Sequence, residues 1–536
     1  MGLFNQFPFT NFHEANLDWL ITNVNNIPNT IENILNNDED VRNMISTIIG
    51  NYELLRTVTS YGADNTGATD STAAFTAAAN DGVIIVDDGR FTLLSDVNIN
   101  VPVIFLGNGI LNVTGNSRFA NIVAPRRKIF DIVSPKIENF VMPEWFSDGK
   151  IQTAINSLTR GTISLKSGGF TGIVDGIRRG DKNAYNETNI NITKSNITIE
   201  GNGACIFSEN GNAFTIGDGS THVEYVTINN CTIVCNRQLT NNKAIYINKA
   251  ERIFLNNIRT LGAFTALKCN NTINVFGNKI IAQADNAING DRALFDISSN
   301  VGQNASIYLS ECIANYQSDS TISGETAFRI AGSDIKDVFI TNCEVAYAAN
   351  GMIIDGNSST GKGNIQIRGF IADRIRSAGI SIRNMTDKGS NIQISDSWVC
   401  AGGVCYQLNN ANNVSIVNST AFDMKNTANG FYITGNRNRI VSCMAIGCTT
   451  GCTIDASSKY NNVGFFALDS WPAEYQPVTN PKYYGAVTSI GDYNSVSFCN
   501  WPDGTYNGVN LNGSHCVSEY NKSCNNNGTN NHVYDY

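Results

Sequence analysis

Charged residues and histidines are scarce in this chain of 536 residues. Asp, Glu, Lys and Arg together make up 15% of the sequence, and there are 4 histidines: His13, His222, His515 and His532. So few histidines disfavour a Ser-His-Asp triad as catalytic machinery. Acidic residues outnumber basic ones by 46 to 37, and no run rich in lysine and arginine occurs. Binding to nucleic acid through the phosphate backbone is therefore not expected.

Long apolar segments are also missing. The sequence has no stretch of about 20 consecutive apolar residues, the length that a membrane-spanning helix needs. The first residues lack the basic start and the apolar core of a signal peptide. We therefore expect a protein that does not insert into a membrane and that is not exported by a cleaved leader.

The 14 cysteines contain no Cys-x-x-Cys pair, so a zinc site is not expected. Cys516 and Cys524 lie near His515 and His532, but their spacing matches no familiar metal site. Four other cysteines occupy one position of a repeat that serine fills in other copies: Cys231, Cys312, Cys343 and Cys443. A position that accepts either residue requires a small side chain. We predict free, buried thiols there.

Alternating, strand-like blocks recur between about residue 197 and residue 460. Copies that begin at residues 338, 365, 392, 414 and 438 are separated by 27, 27, 22 and 24 residues, and a period in the twenties is typical of a solenoid. Period-two alternation favours strands, which would pair with their copies in the next coil at roughly 4.8 Å. We predict a mostly β chain that forms a parallel β-helix. Leucine-rich repeats are the competing solenoid, but their fixed leucine and asparagine spacing is missing.

The N-terminal region has a different, helical pattern. From Leu17 to Ile48, positions at alternating spacings of three and four are apolar except for Asp38, which indicates a heptad seam. Isoleucine at both core positions favours trimers or larger assemblies. Pro28 interrupts the pattern because it has no N–H to donate, so we expect short helices. Packing of these helices on their own chain is the open alternative.

Two segments resemble the opening of the pectate-lyase-like β-helix domains of bacteriophage tailspikes. Residues 61–75 read YGADNTGATDSTAAF, in which Asp70 is well placed to cap an alanine-rich helix. Residues 142–146 read MPEWF and precede a second helix-then-strand pattern. The resemblance implies a right-handed parallel β-helix in an elongated homotrimer. Asp64 and Asp70 occupy turn and cap positions, which favours structural roles over a catalytic carboxylate pair.

A third segment, residues 7–20, reads FPFTNFHEANLDWL and resembles a motif in structural proteins of small podoviruses of Gram-positive hosts, including their appendage proteins. It implies that residues 1–57 attach the chain to phage tail or connector proteins and help it to trimerise. Residues 58–142 would then form a lead-in β module, residues 143–470 the main β-helix and residues 471–536 a C-terminal cap or tip. The expected location is the virion tail, after synthesis in the host cytoplasm.

The tailspike resemblance implies binding to a host cell-surface glycan, either a cell-wall polysaccharide or a teichoic acid, during adsorption. Depolymerisation by a glycoside hydrolase, lyase or teichoic-acid hydrolase reaction stays open. The alternatives are adsorption without cleavage and a structural tail fibre. A secreted bacterial pectate lyase is disfavoured by the missing leader and the helical N-terminus. No cofactor is expected, although acidic residues such as Asp285 and Asp291 leave a divalent cation such as Ca²⁺ open.

Carboxylates are the expected catalytic groups. Counting four residues beyond the small position of each coil places Tyr347, Arg374 and Asp423 in one column, with Asp373 beside Arg374. Asp373 and Asp423 would lie two coils apart, roughly 9.6 Å, near the upper limit of about 9.5 Å for an inverting pair. Arg374 and Tyr347 would bind substrate. A solvated charge column is the competing interpretation.

Other candidates lie where the repeat is interrupted. Asp175 is a possible catalytic carboxylate, and the neighbouring Arg178 and Arg179 would clamp a phosphate or carboxylate. Glu325 closes a second interruption, at residues 319–325. Trp501 belongs to an aromatic-rich C-terminal segment and would stack on a sugar ring. Ordinary polar loops and a solenoid cap are the structural alternatives.

Overall fold

The computed structural model describes residues 56–131, 135–168, 171–174, 177–180, 183–236, 239, 241–284, 292–299, 302–316, 324–332, 334–356, 363–386, 391–423, 429–464, 467–469, 485–497, 499, 509–519, 521 and 524–534. The predicted heptad region up to residue 55 lies outside this set, as do Asp175, Asp285, Asp291 and Trp501. Within the described residues, no helix is both long and apolar enough to cross a membrane.

The chain divides into two compact units, the first ending at Thr159 and the second beginning at Arg160. From residue 56 onward, the described part of the first unit contains 3-10 turns at Val58–Tyr61 and Pro143–Trp145 and the α-helices α1 (Thr72–Asn80) and α2 (Ile151–Ser157). Its strands are β1 (Ile84–Val86), β2 (Arg90–Thr92), β3 (Asn98–Phe105), β4 (Ile110–Asn112), β5 (Arg118–Val123) and β6 (Lys136–Val141). Pairing is parallel between β1 and β3, β3 and β5, β5 and β6, and β2 and β4. The predicted lead-in β module is thus itself a small stack of parallel strands.

Asp64 and Asp70 hold the turn and the helix start in this unit. Asp64 accepts backbone N–H groups from Thr66 at 2.9 Å and Thr69 at 2.7 Å. The hydrogen bond from the Thr66 hydroxyl, followed by those from the Thr66 amide and from the Thr69 hydroxyl and amide, lowers the pKa of its carboxyl. The N-cap of α1 is Ser71, one residue after the predicted Asp70. The Asp70 carboxylate instead accepts a hydrogen bond from the backbone N–H of Thr72, the first helical residue, at 3.0 Å. Both aspartates have structural contacts here.

The described part of the second unit consists almost entirely of strands, the first of which begins at Leu158, just before the boundary between the units. They are β7 (Leu158–Ser164), β8 (Thr171–Val174), β9 (Ile177–Gly180), β10 (Tyr185–Asn186), β11 (Ile190–Ile192), β12 (Ile197–Ser208), β13 (Phe214–Ile216), β14 (Val223–Cys235), β15 (Lys243–Leu261), β16 (Thr265–Gln283), β17 (Arg292–Ser299), β18 (Asn304–Ser310), β19 (Ile313–Asn315), β20 (Glu325–Gly332), β21 (Ile335–Thr341), β22 (Glu344–Ala346), β23 (Asn350–Asp355), β24 (Asn364–Arg368), β25 (Ile371–Ile375), β26 (Ala378–Arg383), β27 (Asn391–Ser395), β28 (Trp398–Ala401), β29 (Val404–Asn409), β30 (Val414–Val417), β31 (Thr420–Asp423), β32 (Asn429–Thr434), β33 (Arg439–Val441), β34 (Met444–Ile446), β35 (Thr450–Ile454), β36 (Asn462–Gly464), β37 (Ala467–Asp469), β38 (Gly485–Ser489), β39 (Ser495–Ser497), β40 (Val509–Leu511), β41 (Val517–Glu519), β42 (Cys524–Asn526) and β43 (His532–Tyr534).

Each coil pairs in parallel with the next, in the register that a parallel β-helix requires. One inward column shows this pattern: Ile199 pairs with Ile228, Ile340 with Ile367, Ile367 with Ile394, Ile394 with Ile416 and Ile416 with Ile440. Gly277 interrupts the column, and the Leu309 side chain of the next coil fills the space where a Cβ would lie. Burial of such columns is the main source of stability in a solenoid. The predicted parallel β-helix is confirmed.

A left-handed residue at one corner of the coils explains the abundance of asparagine. Asn230 and Asn257 lie within the long strands β14 and β15, and Asn342 and Asn418 directly follow β21 and β30; all four have φ between 50° and 52°. Asparagine tolerates this conformation better than most residues because its short side chain forms local hydrogen bonds. The residue that follows turns back into the core. In several coils that residue is a cysteine, and Cys231, Cys312, Cys343 and Cys443 are free and buried, as predicted.

Parallel pairing continues beyond residue 470, where the sequence predicted a cap. Strand β35 pairs with β38, β38 with β40, and β40 with β42. On another face, β36 pairs with β39, β39 with β41, and β41 with β43. The described part of residues 471–536 therefore extends the ladder. Aromatic and proline-rich segments concealed this regularity in the sequence.

Candidate functional site

Strand β25 contains one residue more than its neighbour, and this bulge creates the candidate site. Ala372 pairs with Val399 and Ile375 pairs with Ala401. Between these two pairs, β25 therefore has two residues where β28 has one. Such a bulge re-aims side chains. The Asp373 and Arg374 side chains are 42% and 58% exposed, and Arg374 has a φ of 53°.

Arg374 lies on the ring of Tyr347, which belongs to the preceding coil. The centre of its guanidinium is 5.3 Å from the ring centroid, and Nη1 donates a hydrogen bond to Tyr347 Oη at 2.9 Å. The Arg374 Nε is 3.9 Å from a carboxylate oxygen of Asp373. Tyr347 is fixed in turn, because its amide donates to the carbonyl of Asp373 at 3.2 Å. The exposed guanidinium is therefore held in place before any ligand arrives.

Arg376 connects this surface to the interior. It donates one hydrogen bond to the carbonyl oxygen of Tyr347 and another, from Nη2, to Glu325 Oε2 at 2.6 Å. The Arg376 side chain is 29% exposed, whereas that of Glu325 is 1% exposed. A buried carboxylate therefore anchors a guanidinium that still reaches solvent.

The interior end of the array is a second arginine. Arg292 and Glu325 are the first residues of β17 and β20, and they pair in register. Arg292 Nη2 lies 3.6 Å from Glu325 Oε1, and both side chains are 1% exposed. The Arg292 guanidinium also lies 4.9 Å from the ring centroid of Tyr316, whose hydroxyl donates to the Thr326 carbonyl at 2.7 Å. Burial raises the pKa of Tyr316, so its hydroxyl stays a donor.

We call Arg292, Arg374 and Arg376, with Glu325, Asp373, Tyr316 and Tyr347, the arginine cluster. Its three guanidiniums and two carboxylates give a net charge of +1 on a chain whose formal net charge is −9. Guanidinium groups bind carboxylates and phosphates in a planar, two-pronged geometry. The exposed Arg374 side chain and the partly exposed Arg376 side chain are therefore chemically suited to an anionic ligand.

The arginine cluster unites four residues that the sequence singled out: Tyr347, Asp373, Arg374 and Glu325. Asp423 is not among them. It pairs with Ala401, which pairs with Ile375, and all three residues are buried. The expected column of Arg374 and Asp423 is wrong, because counting four residues from the small position ignored the extra residue of β25. Asp373 points to the surface and Asp423 lies in the interior, so the two do not share a groove.

The remaining predicted site residues lie away from the arginine cluster or outside the residues that the structure describes. Arg178 and Arg179 belong to β9, which pairs antiparallel with β8, so this interruption of the repeat is a hairpin. Asp175 and Trp501 lie outside the described residues, and their predicted roles stay predictions.

Sequence reasoning missed Arg292 and Arg376. Arg376 could have been noticed, since it follows Arg374 by two residues in the segment Asp373-Arg374-Ile375-Arg376. Arg292 was visible in the sequence only as the end of an interruption of the repeat. Its partner Glu325 is distant in sequence, and the register of β17 with β20 unites them.

A ladder of aromatic rings on another face was also missed. It comprises Phe254, Phe276, Tyr308 and Phe339, one from each of four successive coils, with centroid separations of 5.1, 5.0 and 4.8 Å and interplanar angles of 5° to 7°. Its signal was an aromatic residue at the central position of successive strand blocks. Because the ring faces stack on one another, the inner faces of the ladder are not available to a sugar.

No protein-family model matches this sequence, and no curated protein does. Among solved structures, the family 28 exopolygalacturonase of Yersinia enterocolitica has a TM-score of 0.27 and 10% identity, over 85% of this chain and 77% of that chain. The N-terminal fragment of bacteriophage phi29 gene product 12 has a TM-score of 0.27 and 13% identity, over 92% and 96%. The Dettilon tailspike protein has a TM-score of 0.26 and 12% identity, over 77% and 67%. Two of these three similar structures are phage proteins; the parallel strand register described above is what establishes the fold.

Proposed function

We propose that this chain is a bacteriophage tailspike or appendage protein that binds an anionic glycan of the host cell surface at the arginine cluster. The sequence motifs at residues 7–20, 61–75 and 142–146 support the virion assignment. The parallel β-helix supports it as well, because it is the fold that the tailspike resemblance implies. The observation that carries the binding site is the Arg374 guanidinium, fixed on Tyr347 while more than half of its side chain is exposed.

The chemistry of the cluster selects the class of glycan. Arg374 and Arg376 present positive charge on an otherwise acidic protein, so a polymer that carries phosphate or carboxylate groups fits better than a neutral one. Teichoic acids and uronate-containing cell-wall polysaccharides have such groups. Since Tyr347 and Glu325 already restrict the two guanidiniums, little side-chain freedom is lost when an anion binds.

The positions of the predicted catalytic carboxylates favour binding of the glycan without cleavage. Of the described candidates, Glu325 and Asp423 are buried, and Asp373 is half-exposed. Glycoside hydrolysis by the usual mechanism needs two carboxyl groups that flank the bond, and the predicted pair of Asp373 and Asp423 does not meet that requirement. Attachment through residues 1–57 and assembly into a homotrimer belong to the same proposal, supported by the heptad spacing and by the N-terminal motif.

The test is to incubate the purified full-length protein with teichoic acids, uronate-containing polysaccharides and a neutral polysaccharide. Binding is measured by calorimetry, and polymer length is followed by mass spectrometry. We expect binding to an anionic polymer, weaker binding at higher salt and unchanged polymer length. Shortened products would establish a depolymerase. Equal affinity for the neutral polymer, or no binding to any of them, would contradict the proposal.

A further inference from the structure

A second cluster of ligating side chains lies on the surface of β14 and β15. His222 directly precedes β14, Glu224 is in β14, and Glu251 lies beside Glu224 in the next coil, in register. Residues two apart in a strand share a face, so all three side chains emerge on one side of the sheet. Their ligand atoms lie within 4.8 Å of one another. The register partner of Glu251 in the following coil is Ile273, so the acidic pair is confined to two coils.

Like charges placed side by side on adjacent strands are destabilising, and Arg252 offsets part of that repulsion. Its Nη1 lies 2.7 Å from Glu224 Oε2 and its Nη2 lies 2.9 Å from Glu251 Oε1. The guanidinium is also held over the ring of Tyr225, 5.0 Å from its centroid. One oxygen of each carboxylate is thereby occupied, and both glutamates are fixed.

The other two carboxylate oxygens approach one imidazole nitrogen. His222 Nε2 lies 3.4 Å from Glu224 Oε1 and 3.4 Å from Glu251 Oε2. Direct N–H···O hydrogen bonds are usually about 2.7–3.2 Å long, so both distances are longer than a shared proton would give. Tetrahedral zinc with ligands at about 2.0–2.2 Å has ligand–ligand edges of roughly 3.4 Å. The two distances that involve His222 are therefore close to the edges of a tetrahedral zinc site.

We propose that His222, Glu224 and Glu251 form a binding site for one divalent transition-metal ion of the zinc class. One imidazole nitrogen and two carboxylate oxygens are a donor set that suits zinc. With Arg252 and a neutral imidazole, the four side chains carry a net charge of −1, which a divalent cation reverses. The fourth coordination position faces solvent, since the His222 side chain is 45% exposed and that of Glu224 is 35% exposed. The ion cross-links two coils.

The experiment uses the full-length protein, stripped with a chelator and titrated with Zn²⁺ by calorimetry. We expect one high-affinity ion per chain in the wild type. His222→Ala and Glu251→Gln should each weaken Zn²⁺ binding at least tenfold, whereas Arg252→Gln should strengthen it by removing a competing cation. His515→Ala is the matched control, because His515 stacks on Tyr493 in a distant coil, and it should bind like the wild type.

The variant His222→Ala removes an exposed side chain, and circular dichroism checks that each variant is folded; Glu251→Gln and Arg252→Gln give independent readouts. Co²⁺ provides a second measurement, since a four-coordinate site gives intense visible absorption that His222→Ala should abolish. Absence of stoichiometric Zn²⁺ binding in the wild type would overturn the proposal. So would binding that is equally strong in His222→Ala and Glu251→Gln, or weaker in Arg252→Gln.

Discussion

Two arginine–tyrosine stacks in the same cluster have similar geometry and opposite surroundings. Arg292 lies 4.9 Å from the Tyr316 ring centroid and is 1% exposed. Arg374 lies 5.3 Å from the Tyr347 ring centroid and is 58% exposed. The buried guanidinium has Glu325 as a fixed counter-ion, whereas the exposed one has a loose contact of 3.9 Å with Asp373.

The difference separates a structural role from a binding role. A buried guanidinium is retained only when a partner compensates its charge, so Arg292 and Glu325 constrain the interior. A half-exposed guanidinium keeps much of its hydration and can exchange water for a ligand anion. Arg376 links the two environments through Glu325. If this distinction holds, substitutions in the interior should change stability, and substitutions at the surface should change binding.

The largest expected effect is on the stability of a Glu325→Gln variant. Removing the carboxylate leaves Arg292 buried without a compensating charge and Arg376 without its anchor, so the free energy of unfolding should fall by about 3–5 kcal/mol. Thermal and urea denaturation measure it. The matched control is Glu344→Gln, an exposed glutamate in the neighbouring strand β22, which should change stability by less than about 0.5 kcal/mol.

A double variant sharpens this prediction. Glu325→Leu combined with Arg292→Met removes both buried charges, and it should be less destabilised than Glu325→Gln alone. If the single variant is as stable as the wild type, the buried pair does not constrain the interior as described.

The next effect in size is on glycan binding by an Arg374→Ala variant. Loss of a charge-assisted hydrogen bond costs about 1.5–3 kcal/mol, so affinity for an anionic polymer should fall at least tenfold while stability changes by less than about 1 kcal/mol. Calorimetry and thermal denaturation separate the two effects. Arg368→Ala is the control, since the Arg368 side chain is 74% exposed and forms an ion pair with Asp396, which follows β27 in the next coil. An equal loss in both variants would indicate a general charge effect and no site at Arg374.

A smaller effect is expected for Asp373→Asn. The Asp373 carboxylate lies 3.9 Å from Arg374 and competes with a ligand anion, so its neutralisation should raise affinity for an anionic polymer by about two- to fivefold, a surface-pair energy of roughly 1 kcal/mol or less. The same calorimetric titration measures it. Asp423→Asn, in the interior, should leave affinity unchanged. Abolished binding in Asp373→Asn would instead give that carboxylate a direct role.

The regular part of the fold was predictable because each coil repeats the same local physics. The alternation of apolar and polar residues in segments such as Ile365-Gln366-Ile367 shows which side chains face inward and which face outward. The asparagine pairs mark the left-handed corner at residues such as Asn230 and Asn257. The recurrent cysteine position was equally visible. These signals are local, so one sequence is enough to find them.

The site was predictable in part. Tyr347 and Arg374 were correctly expected at matching positions of adjacent coils, because both coils contain the same extra residue. Asp423 was misplaced because the bulge in β25 changes the register by one residue, and an alternating pattern cannot show where a bulge lies. The pairing of Arg292 with Glu325 depends on the register between two coils with irregular connections, which no local pattern specifies.

The most direct test of the binding site is hydrogen–deuterium exchange of the full-length protein with and without an anionic cell-wall polymer. The backbone amides of Tyr347 and Arg376 lie beside the proposed contact, and they donate hydrogen bonds to the adjacent coil, Tyr347 to the Asp373 carbonyl and Arg376 to the Ala348 carbonyl. We predict slower exchange in peptides covering residues 344–349 and 371–377, and no change in those covering the aromatic ladder at residues 254 and 276. Protection confined to the ladder or to the C-terminal coils would contradict binding at the arginine cluster.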